Sequence, residues 1–431
     1  MAHLSNSQRL AAGFHPPPSL VRPFAAVQAA WRFYSNNRVT LPELSAPLIE
    51  CARADLDATC EDWLLVAFDW CNIHFCSHEH RKDRVPLAHT KDLGYELLTA
   101  LAVGDREGCP VAPLCLDLRA SDGVHSTRSD SPLTPVSSLD ALEPLMAYVH
   151  GLNMGKPAAF IIDREGDSVG HYRHWAAAGR KFLVRANDRP RVMYEGQHRP
   201  LSQVADVLRK RGAFRAARPV LLKGKPAEQF VAETAVVLTR PARMQRVDPK
   251  TGKAKHKDIS GPPLPLRLVV SEVRNPRGKV LARWLLLSNL PASVKCETLA
   301  LWYYWRWQIE SYHKLLKGAG QHVESWLQET AVTLSRRLAV APMACLVVWR
   351  LARDDSLPAL EMREVLVRLS GRQMKRGKKT RSFTEPALLA GLSVLIPMLD
   401  YLRDHDLNHL RRLADAALPG LVYPGATLED G

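Results

Sequence analysis

The sequence predicts an α/β protein with a β-rich segment in its middle and a helical C-terminal region. Three observations support this prediction. Short apolar runs with the length of buried strands occur between residues 63 and 185. From about residue 190 to 282, β-rich runs alternate with basic loops that contain proline and glycine. After residue 283, apolar residues recur with the period of an α-helix.

The length and composition of the chain restrict the classes of protein to which it can belong. A chain of 431 residues is long enough for two or three domains. Lysine and arginine exceed the acids by 59 − 44 = 15, which favours a polyanionic partner such as nucleic acid. Eight irregularly spaced cysteines and an N-terminus without a signal pattern predict a bacterial cytoplasmic protein with reduced thiols. The longest apolar run, Leu338–Trp349, is shorter than the roughly 20 residues that span a bilayer, so no membrane partner is expected.

Before residue 190, strands alternate with helices and loops. Two of the apolar strand runs end in an aspartate, Asp69 and Asp163. The predicted elements are a helix at Leu41–Asp57, strands at Trp63–Asp69, Leu97–Val103 and Val111–Leu118, an exposed loop at 120–138, a helix at Leu139–Gly151, a strand at Ala158–Asp163, a helix at His171–Gly179 and a strand at Phe182–Arg185.

The central segment has a different pattern. Its strands are predicted at Phe230–Leu238, Leu266–Val273 and Val280–Leu287, and the last two are joined by a hairpin turn at Asn275–Gly278. Arg240–Lys257 is expected to be a mobile basic loop. A second basic run, Met374–Arg381, lies in the helical C-terminal region and is expected to be either a solvated loop or a DNA-backbone contact.

One predicted helix, residues 303–317, has an unusual charge pattern. At roughly 100° per residue, one face carries Tyr303, Arg306, Glu310, Lys314 and Lys317. The opposite face is apolar and carries Leu301, Trp305, Ile309, Tyr312 and Leu316. A charged face opposite a buried one is normal for a surface helix. A single acid in an otherwise cationic row suits a site where a metal ion and a phosphodiester meet.

Asp69, Asp163 and Glu310 are the candidate metal ligands. Strand ends place carboxylates at the rim of a sheet, where ligands commonly bind. Three converging carboxylates suit two Mg²⁺ or Mn²⁺ ions, which prefer oxygen ligands and catalyse in-line displacement at phosphorus. The simpler alternative is that each aspartate is a turn residue or a helix N-cap.

Two further polar groups follow Asp69 and Asp163 in the sequence. Cys71, His74, Cys76, His78 and His80 form a cluster whose spacing is not that of a standard zinc finger, so a zinc site is not expected. Arg164 and Glu165 are expected to lie beside the metal or a phosphate rather than to be ligands. Asp167 is expected to be a helix cap rather than a fourth acid.

The spacing Tyr-x2-Arg-x3-Glu-x6-Lys, filled by Tyr303, Arg306, Glu310 and Lys317, resembles the signature of the DDE transposases of insertion-sequence family four. The surrounding residues are similar to the transposon-five type in particular, and the resemblance covers roughly residues 30–400. The matching segments are Trp305–Trp307, Ile309–Glu310, His313–Lys314, Gly318–Gly320, Asp163–Glu165, Trp284–Leu287 and Arg32–Asn36.

The resemblance implies a ribonuclease-H-like catalytic core and a cut-and-paste transposase. Asp69, Asp163 and Glu310 would bind two Mg²⁺ or Mn²⁺ ions and catalyse end nicking, hairpin formation, hairpin resolution and strand transfer. Trp284 would stack on a base flipped out in the hairpin, although a core tryptophan on a strand is the alternative. Tyr303, Arg306, Lys314, Lys317 and Arg164 would contact DNA phosphates.

The resemblance also implies a domain organisation. Residues 1–60 would be a helical, shortened DNA-binding region. Residues 61–189 and 283–330 would form the catalytic core, with 190–282 as a β-rich insertion and 331–431 as a helical dimerisation region. The expected partners are double-stranded DNA, both transposon ends and target, and a second copy of the chain in the DNA complex. The expected location is the cytoplasm, associated with the nucleoid when bound to DNA.

Two functions remain open at this point. The retained triad and cationic row favour an active transposase. The short segment before Asp69, whose first 30 residues match nothing in the family pattern, favours a non-catalytic inhibitor or a domesticated DNA-binding relative.

Overall fold

The structure is a computed structural model, and it describes residues 23–222, 224–247, 254–318, 320–371, 383–409 and 412. The chain divides into two compact units. The larger unit comprises residues 40–313 and 330–342. The smaller unit comprises residues 1–39, 314–329 and 343–431.

Strands dominate the first two-thirds of the chain and helices the last third. The helices are α1 (Pro23–Ser35), α2 (Leu41–Thr59), α3 (Leu142–Gly151), α4 (Val169–Ala177), α5 (Leu201–Lys210), α6 (Cys296–Trp305), α7 (Trp307–Leu316), α8 (Ala331–Val340), α9 (Pro342–Arg353), α10 (Leu357–Leu369) and α11 (Glu385–Asp404). The strands are β1 (Leu64–His74), β2 (Val85–Pro86), β3 (Leu93–Gly104), β4 (Pro110–Ala120), β5 (Gly123–Ser126), β6 (Ala158–Ile162), β7 (Lys181–Ala186), β8 (Arg191–Tyr194), β9 (Gln197–Pro200), β10 (Arg215–Leu222), β11 (Lys225–Leu238), β12 (Ala242–Val247), β13 (Ala254–Ile259), β14 (Leu264–Arg274) and β15 (Val280–Ser288).

A single mixed sheet of 13 strands organises the larger unit, so the predicted mixed α/β class is confirmed. Its order is β5-β4-β3-β1-β6-β7-β15-β14-β11-β8-β9, with β2 paired to β3 and β10 paired to β11. β1, β6 and β7 pair in parallel, and β3 and β15 flank them antiparallel. The apolar run Leu64–Phe68 is fully buried, as expected of a strand at the centre of a sheet.

The predicted β-rich insertion is continuous with the core sheet. β15 pairs with β7, and β14 and β11 extend the same sheet outwards. The predicted strands of this segment are confirmed, but it also contains the helix α5, which the β-rich pattern did not predict. The alternation of apolar residues in α5 follows the helical period, and Leu201, Val204, Ala205 and Leu208 are its buried face.

Two segments predicted as loops contain strands. Within 120–138, β5 pairs with β4, and the buried hydroxyls of Ser126 and Thr127 bond to Asp117 and to the Leu116 N–H. Ser126 and Thr127 therefore form hydrogen bonds with buried polar groups and do not face solvent. Within Arg240–Lys257, β12 and β13 form a separate two-stranded sheet. The basic run Met374–Arg381 lies outside the described residues.

The predicted domain boundaries differ from the units of the structure. The N-terminal helical region is divided at residue 40, because α2 belongs to the larger unit and α1 to the smaller one. Thr40 and Glu43 form a capping box at the start of α2, so this helix begins where the larger unit begins. The C-terminal helices are also divided, since α8 belongs to the larger unit.

Two helical stretches are long and apolar enough to cross a membrane by length and composition alone. They are Ala331–Arg353, whose most apolar window is 72% buried, and Glu385–Arg403, whose window is 28% buried. The high burial of the first is typical of a core helix in a globular protein.

The predicted helix over residues 303–317 is two helices, α6 and α7, separated by a turn at Arg306. The Arg306 N–H still bonds to the Trp302 carbonyl, and the Ile309 N–H bonds to the Arg306 carbonyl. Before the turn, Trp305 packs on the β3–β4 connection: a Cβ added to Gly108 would lie 2.3 Å from the Trp305 ring. The last residue of α6 therefore packs directly against this connection.

Gly108→Ala is expected to destabilise the protein more than Gly155→Ala. Both glycines have left-handed backbones, with φ of 71° and 79°, so both variants lose about 1 kcal/mol from backbone strain. Only Gly108 has a neighbour in the way, and overpacking against Trp305 adds about 1–3 kcal/mol. Urea unfolding of the two variants measures the difference, and equal midpoints would show that Trp305 does not pack on this turn.

Candidate active site

Asp69 and Asp163 occupy neighbouring positions on two parallel strands. β1 and β6 pair with an offset of 158 − 64 = 94 residues, from Leu64 opposite Ala158 to Ala67 opposite Ile161. Asp69 and Asp163 have the same offset and follow two residues after the last pair. Asp163 keeps an extended backbone, with φ −78° and ψ −168°. Because neighbouring strands are about 4.8 Å apart, the two aspartates share one face and one level of the sheet.

Asp69 lies within β1 rather than at its end, which corrects the sequence prediction. β1 continues for five residues beyond it because β3 pairs along its whole length, with Asp69 opposite Thr99. Asp163 directly follows β6, as predicted, and its carboxylate also accepts the Glu165 N–H at 2.8 Å. Asp163 therefore does cap a short 3₁₀ turn, Arg164–Gly166, in addition to lying beside Asp69.

The same row continues onto β7 with Arg185, a residue that the sequence analysis did not single out. Ile162 pairs with Val184, so the next residues, Asp163 and Arg185, are level with each other. Arg185 also acts on the Tyr303 hydroxyl, since burial raises the pKa of Tyr303 and Arg185 opposes that shift. The signal was present in the sequence, since Phe182–Arg185 is an apolar strand that ends in a charge, as the strands before Asp69 and Asp163 do.

Glu310 joins the aspartates through the guanidinium of Arg306. Arg306 Nη2 lies 2.9 Å from Glu310 Oε1, and Arg306 Nη1 lies 3.5 Å from Asp69 Oδ2. The residue is only 8% exposed, and Nη1 is buried without a hydrogen-bond partner among the described residues. Burial opposes the charge on Arg306, but Tyr303 and the three carboxylates outweigh it, so its pKa is raised.

The surroundings of Asp69 disfavour the charged form of its carboxyl. Burial raises its pKa, Asp163 and Glu310 raise it further, and Arg306 only partly offsets them, so that it reaches about 6. The pKa of Glu165 is also raised, first by burial and then by Asp163. Burial is the largest cause of both shifts, neighbouring carboxylates add to it, and perturbed pKa values of this kind are enriched at functional sites.

Asp167 has a structural role that differs from the predicted helix cap. Its carboxylate accepts the backbone and side-chain N–H groups of Asn187 at 2.8 and 2.9 Å and the Tyr172 hydroxyl at 3.0 Å. It thereby ties the turn after β6 to the chain after β7. The residue that precedes α4 is Ser168.

His313 is a second residue that the sequence analysis did not assign to the site. It is 7% exposed, its Nε2 lies 3.2 Å from the Thr99 hydroxyl, and its Nδ1 lies 4.0 Å from Asp69 Oδ2. Thr99 is the direct cross-strand partner of Asp69. His313 therefore anchors α7 on the sheet at the level of the aspartates.

The helix face predicted to be cationic and accessible is partly buried. Tyr303 and Arg306 are buried, and Arg306 contacts Asp69 and Glu310. Burial raises the pKa of Tyr303 although Arg306 and Arg185 act in the opposite direction. Lys314 is exposed and Lys317 forms an ion pair with Glu324 at 3.3 Å; both lysines belong to the smaller unit. The opposite face is confirmed as core at Ile309, Tyr312 and Leu316.

Trp284 is half-buried on β15. It lies opposite Ser271 of β14 and two residues before Leu286, which pairs with Arg185. Side chains two residues apart on a strand point to the same face. Trp284 is therefore on the face of the sheet that carries Asp69, Asp163 and Arg185.

A cavity of about 780 Å³ opens beside Arg185, and we call it the arginine cavity. It is lined by Arg164, Arg185, Arg189, Arg191, Arg240, Arg283, Asp167 and Asp188, among others, so its charged residues sum to 6 − 2 = +4. Arg240 and Arg283 have carboxylate partners at 3.9 and 3.0 Å. In the described part of the chain, Arg164, Arg189 and Arg191 make no ion pair, and all three are exposed.

The three acids fit a divalent cation in kind but not in spacing. They supply only oxygen donors, as Mg²⁺ and Mn²⁺ prefer, and they carry excess negative charge. However, no three His, Cys, Asp or Glu side chains among the described residues are arranged to hold a metal ion. The Arg306 guanidinium contacts both Asp69 and Glu310. The expectation that Cys71–His80 is not a zinc site stays a prediction; in this segment, His74 and Cys76 contact Asp92.

Comparison with known proteins gives little similarity. No protein-family model and no curated protein matches the chain. A solved structure described as the cryo-EM structure of a piggyBac transposase synaptic complex with hairpin DNA is similar at a TM-score of 0.34 and 12% identity, over 86% of this chain. The chain spans 60% of the length of that protein.

Proposed function

We propose that this chain is a DNA transposase of the DDE type, which breaks and joins DNA by metal-dependent phosphoryl transfer. The observation that carries the proposal is the convergence of Asp69, Asp163 and Glu310. Two of these acids are level on adjacent parallel strands, and Arg306 links the third to the first. Parts of the chain up to 241 residues apart in sequence, 310 − 69 = 241, thus meet in one acidic site.

The strand order supports the ribonuclease-H-like core in this proposal. The five strands β4-β3-β1-β6-β7 form three antiparallel strands followed by two parallel ones. Asp69 lies on β1, Asp163 directly follows the adjacent strand β6, and Glu310 lies on α7. Rigid central strands hold reactive groups more precisely than loops do.

Asp69, Asp163 and Glu310 are the proposed ligands of two Mg²⁺ or Mn²⁺ ions. Such ions, when bound, supply activation of the attacking oxygen and stabilisation of the leaving oxygen in an in-line displacement at phosphorus. The residues of the chain orient the DNA strand. Arg185 and Tyr303 lie beside the acids and can donate to a phosphate, and Trp284 on the same face can stack on an extruded base.

The arginine cavity is the proposed grip on the DNA backbone next to the cleavage point. Arginine binds phosphate through a planar fork of donors, and a cavity with a charge of +4 attracts a polyanion before contact is made. Arg164 directly follows Asp163, so a strand held in the cavity passes close to the acids. Lys314 and Lys317 remain proposed phosphate contacts.

We also propose that two copies of the chain act together on DNA. Within the smaller unit, α11 and the residues after it expose apolar side chains, namely Val394, Met398, Leu399 and Leu407. An exposed apolar row is commonly an interaction surface. Sedimentation with and without DNA measures whether a dimer forms.

Nicking of supercoiled plasmid tests the proposed activity. Wild-type protein is expected to convert supercoiled plasmid to the nicked form with Mg²⁺ or Mn²⁺ and not with EDTA. Asp163→Asn and Glu310→Ala are expected to bind the same DNA and to lose nicking. Nicking by Asp163→Asn in Mg²⁺ would overturn the assignment. DNA binding without nicking in every protein would favour the alternative function, a non-catalytic inhibitor or domesticated DNA-binding relative.

A further inference from the structure

A cavity on the opposite face of β1 from Asp69 has no part in the proposed function. Trp70 directly follows Asp69 on β1, so its side chain points to the other face of the sheet. There it lies opposite Leu98 of β3, which lies opposite Asp117 of β4. All three line a cavity of about 260 Å³, which we call the Trp70 cavity. Its other lining residues include Glu96, Arg128 and Leu133.

The walls of the Trp70 cavity are held in place by backbone hydrogen bonds. One wall is the sheet itself, where Trp70 and Leu98 are paired residues of neighbouring strands. The wall across from it includes Leu133, which is joined to Val124 of β5 by two backbone hydrogen bonds of 2.8 and 2.9 Å. The cavity is therefore formed before a ligand binds, which lowers the entropy cost of binding.

One donor in the lining of the cavity lacks a partner. Arg128 donates from Nη2 to Asp117 Oδ2 at 3.3 Å, and its backbone N–H bonds to the Ser126 hydroxyl oxygen at 3.2 Å. Asp117 is 4% exposed, so the guanidinium is held by a buried carboxylate. Arg128 Nε is also buried, but it has no hydrogen-bond partner among the described residues. Such a donor is unfavourable, and a ligand that offers it an acceptor removes that cost.

Glu96 supplies an acceptor in the same cavity. It lies two residues from Leu98 on β3, so it is on the same face of the sheet as Trp70. Within the described part of the chain, its ion-pair partner is Arg119 at 3.8 Å, which is beyond hydrogen-bond distance. The charged lining residues are two acids and two arginines, which sum to 2 − 2 = 0. The cavity therefore does not select an anion such as phosphate.

These features select a neutral, planar ligand that carries both a donor and an acceptor. Trp70 is half-buried and offers an aromatic surface for stacking. An aliphatic ligand would leave Arg128 Nε unpaired, whereas a nucleobase has a π-face for Trp70 and an edge of donors beside acceptors. Guanine fits best, because its adjacent N1–H and N2–H groups match the carboxylate of Glu96 and its O6 is an acceptor.

We propose that the Trp70 cavity binds a single nucleobase, with guanine the best fit, at a site separate from Asp69, Asp163 and Glu310. The base stacks on Trp70, accepts the Arg128 Nε–H and donates to Glu96. It comes either from a free nucleoside or from an unpaired position of a DNA strand, since both present the same chemistry. The site does not require catalysis by the acids, so it can be tested apart from the proposed function.

Guanosine binding to the full chain, measured by isothermal titration calorimetry in EDTA, tests the site. Wild type is expected to bind guanosine and not ribose. Arg128→Lys keeps the charge beside Asp117 but removes Nε, and Trp70→Leu removes the stacking surface. Each variant is expected to weaken binding at least about tenfold. The matched controls Arg277→Lys, in an exposed turn, and Trp31→Leu, at an exposed position of α1, are expected to stay within about twofold of wild type.

Trp284→Leu distinguishes the two faces of the sheet. Trp284 lies on the face that carries Asp69, where it is proposed to stack on an extruded base. Its replacement is expected to leave guanosine binding within about twofold of wild type. Loss of guanosine binding in Trp284→Leu, with binding retained in Trp70→Leu, would overturn the assignment to the Trp70 cavity.

A second measurement uses unaltered protein, so it does not depend on whether a variant folds. The photoreactive analogue 8-azidoguanosine is cross-linked to the full chain, and the labelled peptides are identified by mass spectrometry. Label is expected on peptides that contain Trp70 or Leu133, and excess guanosine is expected to suppress it. Label confined to other peptides would overturn the site.

A short oligothymidylate that carries one guanine separates the two sources of the base. If DNA supplies the base, this strand displaces guanosine, and the same strand with an abasic residue in place of guanine does not. If a free nucleoside is the ligand, neither strand displaces guanosine. Either result supports the nucleobase site and assigns its source. Displacement by both strands would overturn it, because the backbone would then be the competitor.

The outcomes separate this site from the proposed function. Absence of guanosine binding in wild type, or binding that either Arg128→Lys or Trp70→Leu retains at wild-type strength, overturns the nucleobase site. Neither result bears on nicking by the acids on the other face of the sheet. Conversely, a protein that fails to nick plasmid but binds guanosine through Trp70 and Arg128 overturns only the proposed function.

Discussion

Asp69→Asn is expected to stabilise the metal-free protein at neutral pH by about 3 kcal/mol while abolishing nicking. The carboxyl has a pKa of about 6 in the folded chain against 3.8 for an ordinary aspartate. A difference of about 2 in pKa corresponds to about 3 kcal/mol. The side chain is 20% exposed, so solvent screens little of this effect. Asparagine keeps the shape of the side chain and removes the unfavourable charge.

The sign of the pH dependence follows from the raised pKa. The folded state holds the Asp69 proton more tightly than the unfolded state. The resulting stabilisation is fully present below pH 3.8 and is lost as the pH rises through about 6. Wild type and Asp69→Asn should therefore have similar stability near pH 3.5, and the variant should be more stable at pH 7.5.

Urea unfolding in EDTA at several pH values between 3.5 and 7.5 measures this difference. The matched control is Asp57→Asn at an exposed position of α2, for which a change within about 0.5 kcal/mol is expected at every pH. An Asp69→Asn protein that is less stable than wild type at pH 7.5 would contradict the account of Asp69 given by its burial and its acidic neighbours.

The opposite effects expected of Asp69→Asn on stability and on nicking have a physical meaning for the site. Burying an acid among other acids opposes folding, and natural proteins depart from stabilising rules of this kind mainly at functional or strained sites. Saturating Mg²⁺ should reverse the order of stability if the acids are metal ligands, because wild type would gain binding energy that Asp69→Asn cannot. Wild type and Asp69→Asn together thus measure both the destabilisation caused by the charge on Asp69 and its reversal by Mg²⁺.

The sequence was sufficient to predict the buried strands because strong apolar runs mark them. Leu64–Phe68 and Ala158–Ile162 are such runs, and the acid after each was visible. The true end of β1 was not predictable in this way. Residues 70–74 are only partly apolar, and they remain in the strand because β3 pairs with them. Pairing of this kind depends on a partner strand, whose register a local pattern does not reveal.

Neither the turn at Arg306 nor the arginine cavity could be predicted from the sequence, because both depend on contacts between distant parts of the chain. Arginine is a good helix former, so nothing local at residue 306 predicts a turn. The residues at this turn make non-local contacts, Arg306 with Asp69 and Trp305 with Gly108. The cavity likewise collects arginines from four separate stretches of chain. Only Arg185, Arg189 and Arg191 are close enough in sequence to have suggested a basic cluster.

Neutralising three arginines of the cavity is expected to weaken DNA binding by about 10²–10³-fold at 50 mM salt. The variant is Arg164→Gln, Arg189→Gln and Arg191→Gln combined. Each phosphate contact contributes about 0.9 to the slope of log affinity against log salt, so losing three should reduce the slope by about 2.7. These three arginines make no ion pair within the described part of the chain, so the substitutions leave no carboxylate unpaired.

Fluorescence polarisation with a 20-base-pair duplex across a salt series measures both the affinity and the slope. The matched control combines Lys225→Gln, Arg277→Gln and Lys279→Gln, which removes the same charge from exposed hairpin positions. If net charge alone attracted DNA, the two triple variants would lose affinity equally and their slopes would agree. A larger loss and a smaller slope for the cavity variant alone would mean that DNA phosphates are held where the turn after Asp163 meets the chain after Arg185. The backbone would then pass beside the acid row, which is the geometry that an in-line attack on that strand requires.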